Sequence, residues 1–336
     1  MKIKLSYITG LRSIVLDELK KEKINYLYEI GDSVYIEFNL INFQSVKKLR
    51  SIARAYLVDR ESFLNPTYIS DHKSLLGEII DVVMVHDKFK TFKITCAGSD
   101  SREVKNIASY IQKKYKLLLS DEADLKIHII KQDGVWEVGV QITPRPLSFR
   151  SYKVANMKGA MDPTIAYAVN SLCMPSVGSS YLNIFSGSGT LLIEASECFP
   201  DIEKVVGFDN DKSHLTLSIQ NIKKAGLIKK VSVKEADIFN KPDFGKFDVI
   251  TSDLPFGMSV SKNQDLQKLY ETFIEYCEGV LNIGGRLAIY TSEFEIIESL
   301  IFKSQFRIIE SLQLTLSTSV GSYLKPKIIV CEFRKN

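Results

Sequence analysis

The chain has 336 residues, enough for two domains with separate cores. Its 45% hydrophobic and 25% charged residues are those of an ordinary globular protein, which excludes a disordered or fibrous chain. The net charge of +4 divides as about +7 before residue 160 and about −3 after it, an asymmetry that points to a polyanion partner for the first half.

Residues 3–9 read as a strand, and Gly10 opens a helix whose apolar face is Leu11, Ile14, Val15 and Leu19. Strands at 26–30 and 33–38 are joined by Gly31-Asp32, a hairpin signal. A helix at 43–49 and a strand at 53–58 complete a small α+β unit. The pattern restarts near Asn65 with a helix at 73–85, a strand at 91–96 and a helix at 102–116 capped by Ser99-Asp100-Ser101. A hairpin follows, 125–131 and 135–142, turned by Asp133-Gly134. Lys113, Lys114 and Lys116 lie beside Tyr110 and Tyr115 at the end of the long helix. They suit a helix C-terminus in any protein, and equally a phosphate contact.

Pro144-Arg145-Pro146 marks a break. An extended linker then carries Arg150 and Lys153, and Asp162-Pro163 opens a helix over 164–172. Beyond it strands alternate with helices. The strands are expected at 180–185, 204–208, 231–234, 247–251 and 286–290, the helices at 190–197, 212–225, 266–281 and 293–303. That order predicts an α/β, doubly wound parallel sheet. Two last strands, 307–315 and 327–333, have no crossover helix between them and are expected to pair antiparallel at the edge.

Chemistry is concentrated at the strand ends, where open α/β sheets bind ligands. The strand 247–251 runs into Ser252-Asp253-Leu254-Pro255-Phe256-Gly257. An exocyclic amine on a planar base delocalises its lone pair into the ring and is a poor nucleophile. The Asp253 carboxylate and the Leu254 carbonyl are two acceptors for its two N–H groups, Phe256 offers a stacking face, and Pro255 restricts Leu254 to an extended backbone. The same string also reads as a plain strand end and turn. The first strand of the sheet leads into Asn183-Ile184-Phe185-Ser186-Gly187-Ser188-Gly189-Thr190, a glycine turn at which the backbone approaches a ligand. It is not G-x-G-x-x-G and has no Walker lysine. Gly207-Phe208-Asp209-Asn210 ends the next strand with an acid suited to ribose hydroxyls. Ala236-Asp237-Ile238 ends the third with an acceptor and an apolar wall for adenine. Together the four ends match the parts of S-adenosyl-L-methionine.

The sequence here resembles the class I S-adenosylmethionine methyltransferases, most of all the THUMP-containing RNA methyltransferases that make N2-methylguanosine in tRNA. ITGLRSIVLDELKK is similar to their N-terminal ferredoxin-like domain, KGAMDPTIAYAV to the segment before their catalytic sheet, and FSGSGTLLIEA and SDLPFG to their most specific motifs. The resemblance implies a ferredoxin-like domain over 1–64, a THUMP RNA-binding domain over 65–143, a linker over 144–160 and a catalytic domain over 161–336. It implies a Rossmann-like sheet of seven strands with the last pair antiparallel. It implies cofactor contacts from Asn183, Phe185, Ser186, Gly187, Gly189, Thr190, Asp209, Asn210, Asp237, Ile238 and Asp253. The target guanine would be held by Asp253, Leu254, Pro255 and Phe256. RNA contacts fall to Lys113, Lys114, Lys116, Arg150 and Lys153, with the tRNA acceptor stem as the expected partner. Two departures stand out. The family usually has Asp-Pro where this chain has Asn183-Ile184, and a second proline where Leu254 stands.

Three further readings remain beside that one: a 23S rRNA target, a non-catalytic RNA-binding protein with a decayed domain, and DNA adenine or protein glutamine methylation by the same tetrad. No signal peptide, membrane span of roughly 20 apolar residues or metal site is expected. The five cysteines are scattered without C-x-x-C, which suits a reducing, cytoplasmic compartment, and a monomer is expected.

Overall fold

The structure is a computed structural model that describes residues 1–60, 65–98, 100–132, 134–173, 176–255, 266–318 and 321–334. The expectations for Ser99, Asp133, Phe256 and Gly257 lie outside the described residues. The chain divides into two compact units, one of Met1–Tyr7 with Val15–Ser148, the other of Ile8–Ile14 with Phe149–Asn336.

The first unit is built on one eight-stranded sheet. Its strands are β1 (Lys2–Ser6), β2 (Tyr26–Glu29), β3 (Ser33–Glu37), β4 (Arg54–Asp59), β5 (Thr91–Cys96), β6 (Leu118–Leu119), β7 (Leu125–Gln132) and β8 (Val135–Gln141), in the order β2-β3-β1-β4-β8-β7-β5-β6. Antiparallel pairing of β4 with β8 joins the two halves of the unit into that sheet. The helices α1 (Arg12–Lys21), α2 (Leu40–Ser45), α3 (Ile69–His86) and α4 (Arg102–Tyr115) follow the expected apolar spacing. α3 starts at Ile69, four residues earlier than expected, and two others also differ at their ends. The first helix starts at Arg12 because Gly10, at φ +101°, is folded against β14 (Phe306–Gln313): a methyl there would stand 2.2 Å from the Gln313 carbonyl oxygen. The second starts at Leu40 because Asn39 caps it, accepting from the Asn42 N–H at 2.8 Å.

The second unit carries a seven-stranded sheet in which β9 (Ser180–Ile184), β10 (Lys204–Asp209), β11 (Val231–Glu235), β12 (Phe247–Asp253) and β13 (Leu281–Thr291) are parallel. A short ribbon, β15 (Leu316–Ser317) with β16 (Tyr323–Leu324), precedes β17 (Lys327–Phe333). β17 runs antiparallel between β13 and β14, giving the order β11-β10-β9-β12-β13-β17-β14. This is the α/β sheet expected from the alternation of elements, with its last pair antiparallel. Helices α5 (Pro163–Cys173), α6 (Thr190–Cys198), α7 (Lys212–Lys224), α8 (Leu266–Val280) and α9 (Phe294–Phe302) accompany it. β13 begins five residues earlier than expected, directly after α8. Its start tracks β12 through a register shift between Phe247 and Val249, and Gly285 leaves room there for the Asp248 carbonyl. Strand order reverses between β9 and β12, the switch point at which such sheets form a crevice.

Candidate functional site

The floor of the crevice is the turn after β9. Phe185 (φ +58°), Gly187 (φ +49°) and Gly189 (φ +82°) are all left-handed within five residues. Glycine meets that demand without strain at two of them, whereas a non-glycine residue at Phe185 is an outlier that its surroundings must hold in place. Gly189 caps α6, and a methyl there would stand 2.5 Å from Ser218 Oγ on α7. Three braces fix the turn. Ser186 N–H donates to the Phe208 carbonyl at 2.9 Å, Gly187 N–H to Asp209 Oδ2 at 2.8 Å, and the Asn221 amide to the Ser188 carbonyl at 3.0 Å. Asn221 also accepts from Ala155 N–H and donates to the Ala155 carbonyl, which ties in the segment before α5.

Polar atoms at this floor are left over. Asn183 is fully buried, and its amide donates to the Thr251 carbonyl at 3.0 Å. Among the described residues its Oδ1 has no partner, and the same holds for Ser186 Oγ and Thr190 Oγ1. A buried polar atom without a partner costs about 1–3 kcal/mol. All three residues line one cleft, so the cost is offset when a polar ligand enters it.

The opposite wall is the end of β12. Pairing of Ser252 with Ile184 in the parallel register sets Asp253 beside the turn that begins at Phe185, and Ser252 Oγ donates to the Ile184 carbonyl at 3.0 Å. Leu254 N–H donates to the Tyr290 carbonyl at 3.0 Å, and the Tyr270 hydroxyl donates to the Pro255 carbonyl at 2.8 Å. Asp253 lines the cleft, and burial pushes its carboxyl up to about 7.

The cleft has a volume of about 250 Å³. It brings together Asn183, Phe185, Ser186, Gly187, Thr190, Asp209, Asn210, Asp237, Ile238, Asp253, Leu254 and Pro255. Gly189 lies behind the lining as the helix cap. Asp209 has a second task that sequence reading missed. Besides Gly187 it accepts from Asp211 N–H at 3.0 Å, and it faces His214 Nδ1 at 3.3 Å. Asp237 accepts from Phe239 N–H at 3.0 Å and so shapes the turn that exposes Ile238 and Phe239 to the cleft. The loop Met157–Met161 closes one side. All of it but Met157 falls within KGAMDPT, a segment that the family resemblance picked out but did not place in the lining. His214, Phe239 and Leu269 carry no motif and were invisible.

The expected RNA contacts divide. Lys113 and Lys116 are exposed at the end of α4, and Lys114 pairs with Asp81 at 3.1 Å over the Tyr115 ring. Arg150 and Lys153, expected on an extended linker, are engaged within the second unit. Arg150 Nε donates to the fully buried Glu194 at 3.0 Å, which also accepts from the Tyr152 hydroxyl, and Lys153 donates to the Met161 carbonyl at 2.9 Å. Burial holds the Lys153 amine below its ordinary pKa. Among the described residues no group of three or more His, Cys, Asp or Glu could hold a metal ion, and no helix is long and apolar enough to cross a membrane.

Comparison with known proteins bears on the same unit. The profile of the UPF0020 family, described as RMKL-like, methyltransferase domain, matches residues 150–320, half of the chain. The chain is 32% identical over 155 residues to the tRNA (guanine(6)-N2)-methyltransferase of Thermus thermophilus, covering 46% of each. It is 27% identical over 215 residues to the mouse U6 snRNA (guanine-N(2))-methyltransferase THUMPD2, covering 60% of this chain and 39% of that one. The chain thus spans less than half the length of these curated relatives. In fold it is similar to the crystal structure of TrmN from Thermus thermophilus, with a TM-score of 0.76, 20% identity and 99% of each chain covered. The five parallel strands, the left-handed glycine turn and the Asp253 strand end fall inside the matched residues, and the chain belongs to the RMKL-like methyltransferase domain family.

Proposed function

We propose that this protein is an S-adenosyl-L-methionine-dependent RNA methyltransferase that adds a methyl group to the exocyclic N2 of a guanosine in tRNA. In this reading the catalytic domain spans 161–336 and acts in a cytoplasmic monomer. A ferredoxin-like domain (1–64) and a THUMP domain (65–143), joined to it by the linker 144–160, grip the acceptor stem, with Lys113 and Lys116 free to meet phosphates. The observation that carries the reading is the single cleft with Asp253, Leu254 and Pro255 on one wall and the glycine turn on its floor.

The residues present fit the cofactor. Asn183 Oδ1 is a buried acceptor for an ammonium, Ser186 Oγ and Thr190 Oγ1 suit a carboxylate, and the left-handed turn keeps Gly187 bare. Asp209 and Asn210 would meet the ribose. Ile238 and Phe239 would flank the adenine while Asp237 accepts its amine. When bound, the cofactor supplies an activated methyl on a sulfonium, so that positioning dominates the barrier. The protein's task is then to present the amine. Guanine is flipped from its helix, because its N2 is not accessible while paired. The Asp253 carboxylate and the Leu254 carbonyl each accept one N–H, which turns the nitrogen lone pair toward the glycine turn. Asp253 takes the proton that the nitrogen sheds after the new C–N bond forms. A side chain at Phe256 would add stacking of about 1–3 kcal/mol.

The test is nucleoside mass spectrometry of tRNA from cells with and without the gene. Loss of N2-methylguanosine from one tRNA species in the deletion is the expected result. An unchanged tRNA profile with a lost methylguanosine in ribosomal RNA would move the target.

A further inference from the structure

Two backbone carbonyls follow Asp253 in succession, those of Leu254 and Pro255. An amine with two N–H groups needs the carboxylate and one carbonyl. Which of the two faces the amine depends on how the turn at Pro255 is held.

The structure holds the second of them in place. Tyr270 on α8 is fully buried, and its hydroxyl donates to the Pro255 carbonyl at 2.8 Å. A carbonyl oxygen can only accept, so the hydroxyl gives its proton to Pro255. On the other side, Leu254 N–H is held by the Tyr290 carbonyl, and among the described residues no donor pairs with the Leu254 carbonyl. Leu254 lines the cleft.

We propose that Tyr270 is a positioning residue for methyl transfer: its hydroxyl holds the Pro255 carbonyl and so fixes the turn in which the Leu254 carbonyl shares the target amine with Asp253. This rests on the reading of the Asp253–Pro255 segment as the amine-binding end of the site. Tyr270 touches neither base nor cofactor. Its effect falls on the geometry of the amine and not on affinity for either.

The test uses the full chain with Tyr270→Phe and, separately, Tyr270→Met. Four quantities are read: kcat and KM for tRNA, the affinity for S-adenosylhomocysteine by calorimetry, the thermal midpoint, and the fluorescence of tRNA carrying 2-aminopurine at the mapped target. 2-Aminopurine keeps the 2-amino group and brightens when flipped. Tyr270→Phe should lower kcat by about tenfold, the loss of one oriented hydrogen bond, and Tyr270→Met by at least as much. KM, S-adenosylhomocysteine affinity and the fluorescence rise should stay within about twofold of wild type. Unchanged kcat in Tyr270→Phe overturns the proposal. So does a fall in kcat matched by equal losses in cofactor affinity and thermal midpoint. If Tyr270→Phe does not fold, an unchanged kcat in Tyr270→Met overturns it. Wild-type protein that transfers no methyl to any tRNA sinks the functional reading itself, and that result is visible before either variant is made.

Discussion

Asn183 on β9 gives its amide to the Thr251 carbonyl on β12 at 3.0 Å and leaves its own oxygen buried and unpaired beside the glycine turn. One side chain thus ties the two strands at the switch point and turns an acceptor toward the cleft. An aspartate there would bring a charge for a cofactor ammonium but would lose the donor that Thr251 uses.

Replacing Asn183 separates those tasks. Asn183→Ala should weaken S-adenosylmethionine binding by about tenfold, the cost of one buried polar contact. Asn183→Asp should lower the thermal midpoint, because it sets a carboxylate against the Thr251 carbonyl. Calorimetry and thermal melts check the two. Wild-type affinity in Asn183→Ala would remove this residue from the site.

The glycine turn is a second point of failure. Gly189→Ala adds a methyl at φ +82° and 2.5 Å from Ser218 Oγ. Strain of this kind costs on the order of 1–3 kcal/mol. The variant should melt several degrees lower and bind cofactor poorly. Adding Ser218→Ala removes the clash but not the unfavourable φ, so it should recover part of the loss. Full recovery would show that only the contact mattered.

Asp253 links activity to stability through pH. Burial raises its folded carboxyl to about 7 from the ordinary 3.8. The ionised form accepts the amine, so transfer should rise with pH through 7 and level off above it. The stability change has the opposite sign. Below 3.8 both folded and unfolded forms are protonated and the group is neutral to folding. Between 3.8 and 7 the unfolded chain ionises first, so the folded state loses stability as pH rises. Asp253→Asn should therefore abolish turnover yet raise the thermal midpoint more at pH 8 than at pH 4. A midpoint gain that does not depend on pH would contradict the assignment.

The first unit has its own buried charge. Glu137 on β8 is inaccessible to solvent and accepts from the Tyr35 hydroxyl at 2.6 Å, from Lys4 Nζ at 2.7 Å, and lies 2.9 Å from His128 Nε2. Burial alone would raise its pKa, but hydrogen bonds from His128, Lys4 and Tyr35 hold it down to about 2. The stability it gives is present above the ordinary carboxylate range and is lost as pH falls from about 4.5 toward 2. Glu137→Ala should cost about 3–5 kcal/mol, because it leaves buried cations unpaired. Gly139→Ala should act on the same cluster, since its methyl would stand 2.1 Å from His128 Cε1. Urea unfolding at pH 7 and pH 3 measures both, and equal losses at the two pH values would contradict the linkage.

The strand ends that line the cleft were readable because each follows an apolar run and leads into Asp or Gly, a pattern that survives without tertiary information. What was not readable depends on distant contacts. Tyr270 reads as one more apolar residue on the face of α8, and only its approach to Pro255, fifteen residues away, gives it a role. Asp209 was legible as an acid at a strand end, but its brace on Gly187 appears only when β10 lies beside β9. Arg150 and Lys153 looked like surface charges because nothing in the sequence announces Glu194 as their buried neighbour or the Met161 carbonyl as an acceptor. The two-residue strand β6 is too short to leave any periodicity.

The most direct measurement is methyl transfer in vitro from labelled S-adenosylmethionine to unmodified tRNA, read by nucleoside mass spectrometry, with wild-type protein and Asp253→Ala side by side. The account predicts N2-methylguanosine with wild type and none with Asp253→Ala, while both bind S-adenosylhomocysteine with similar affinity. Label on an adenine, or transfer by Asp253→Ala at the wild-type rate, would contradict it.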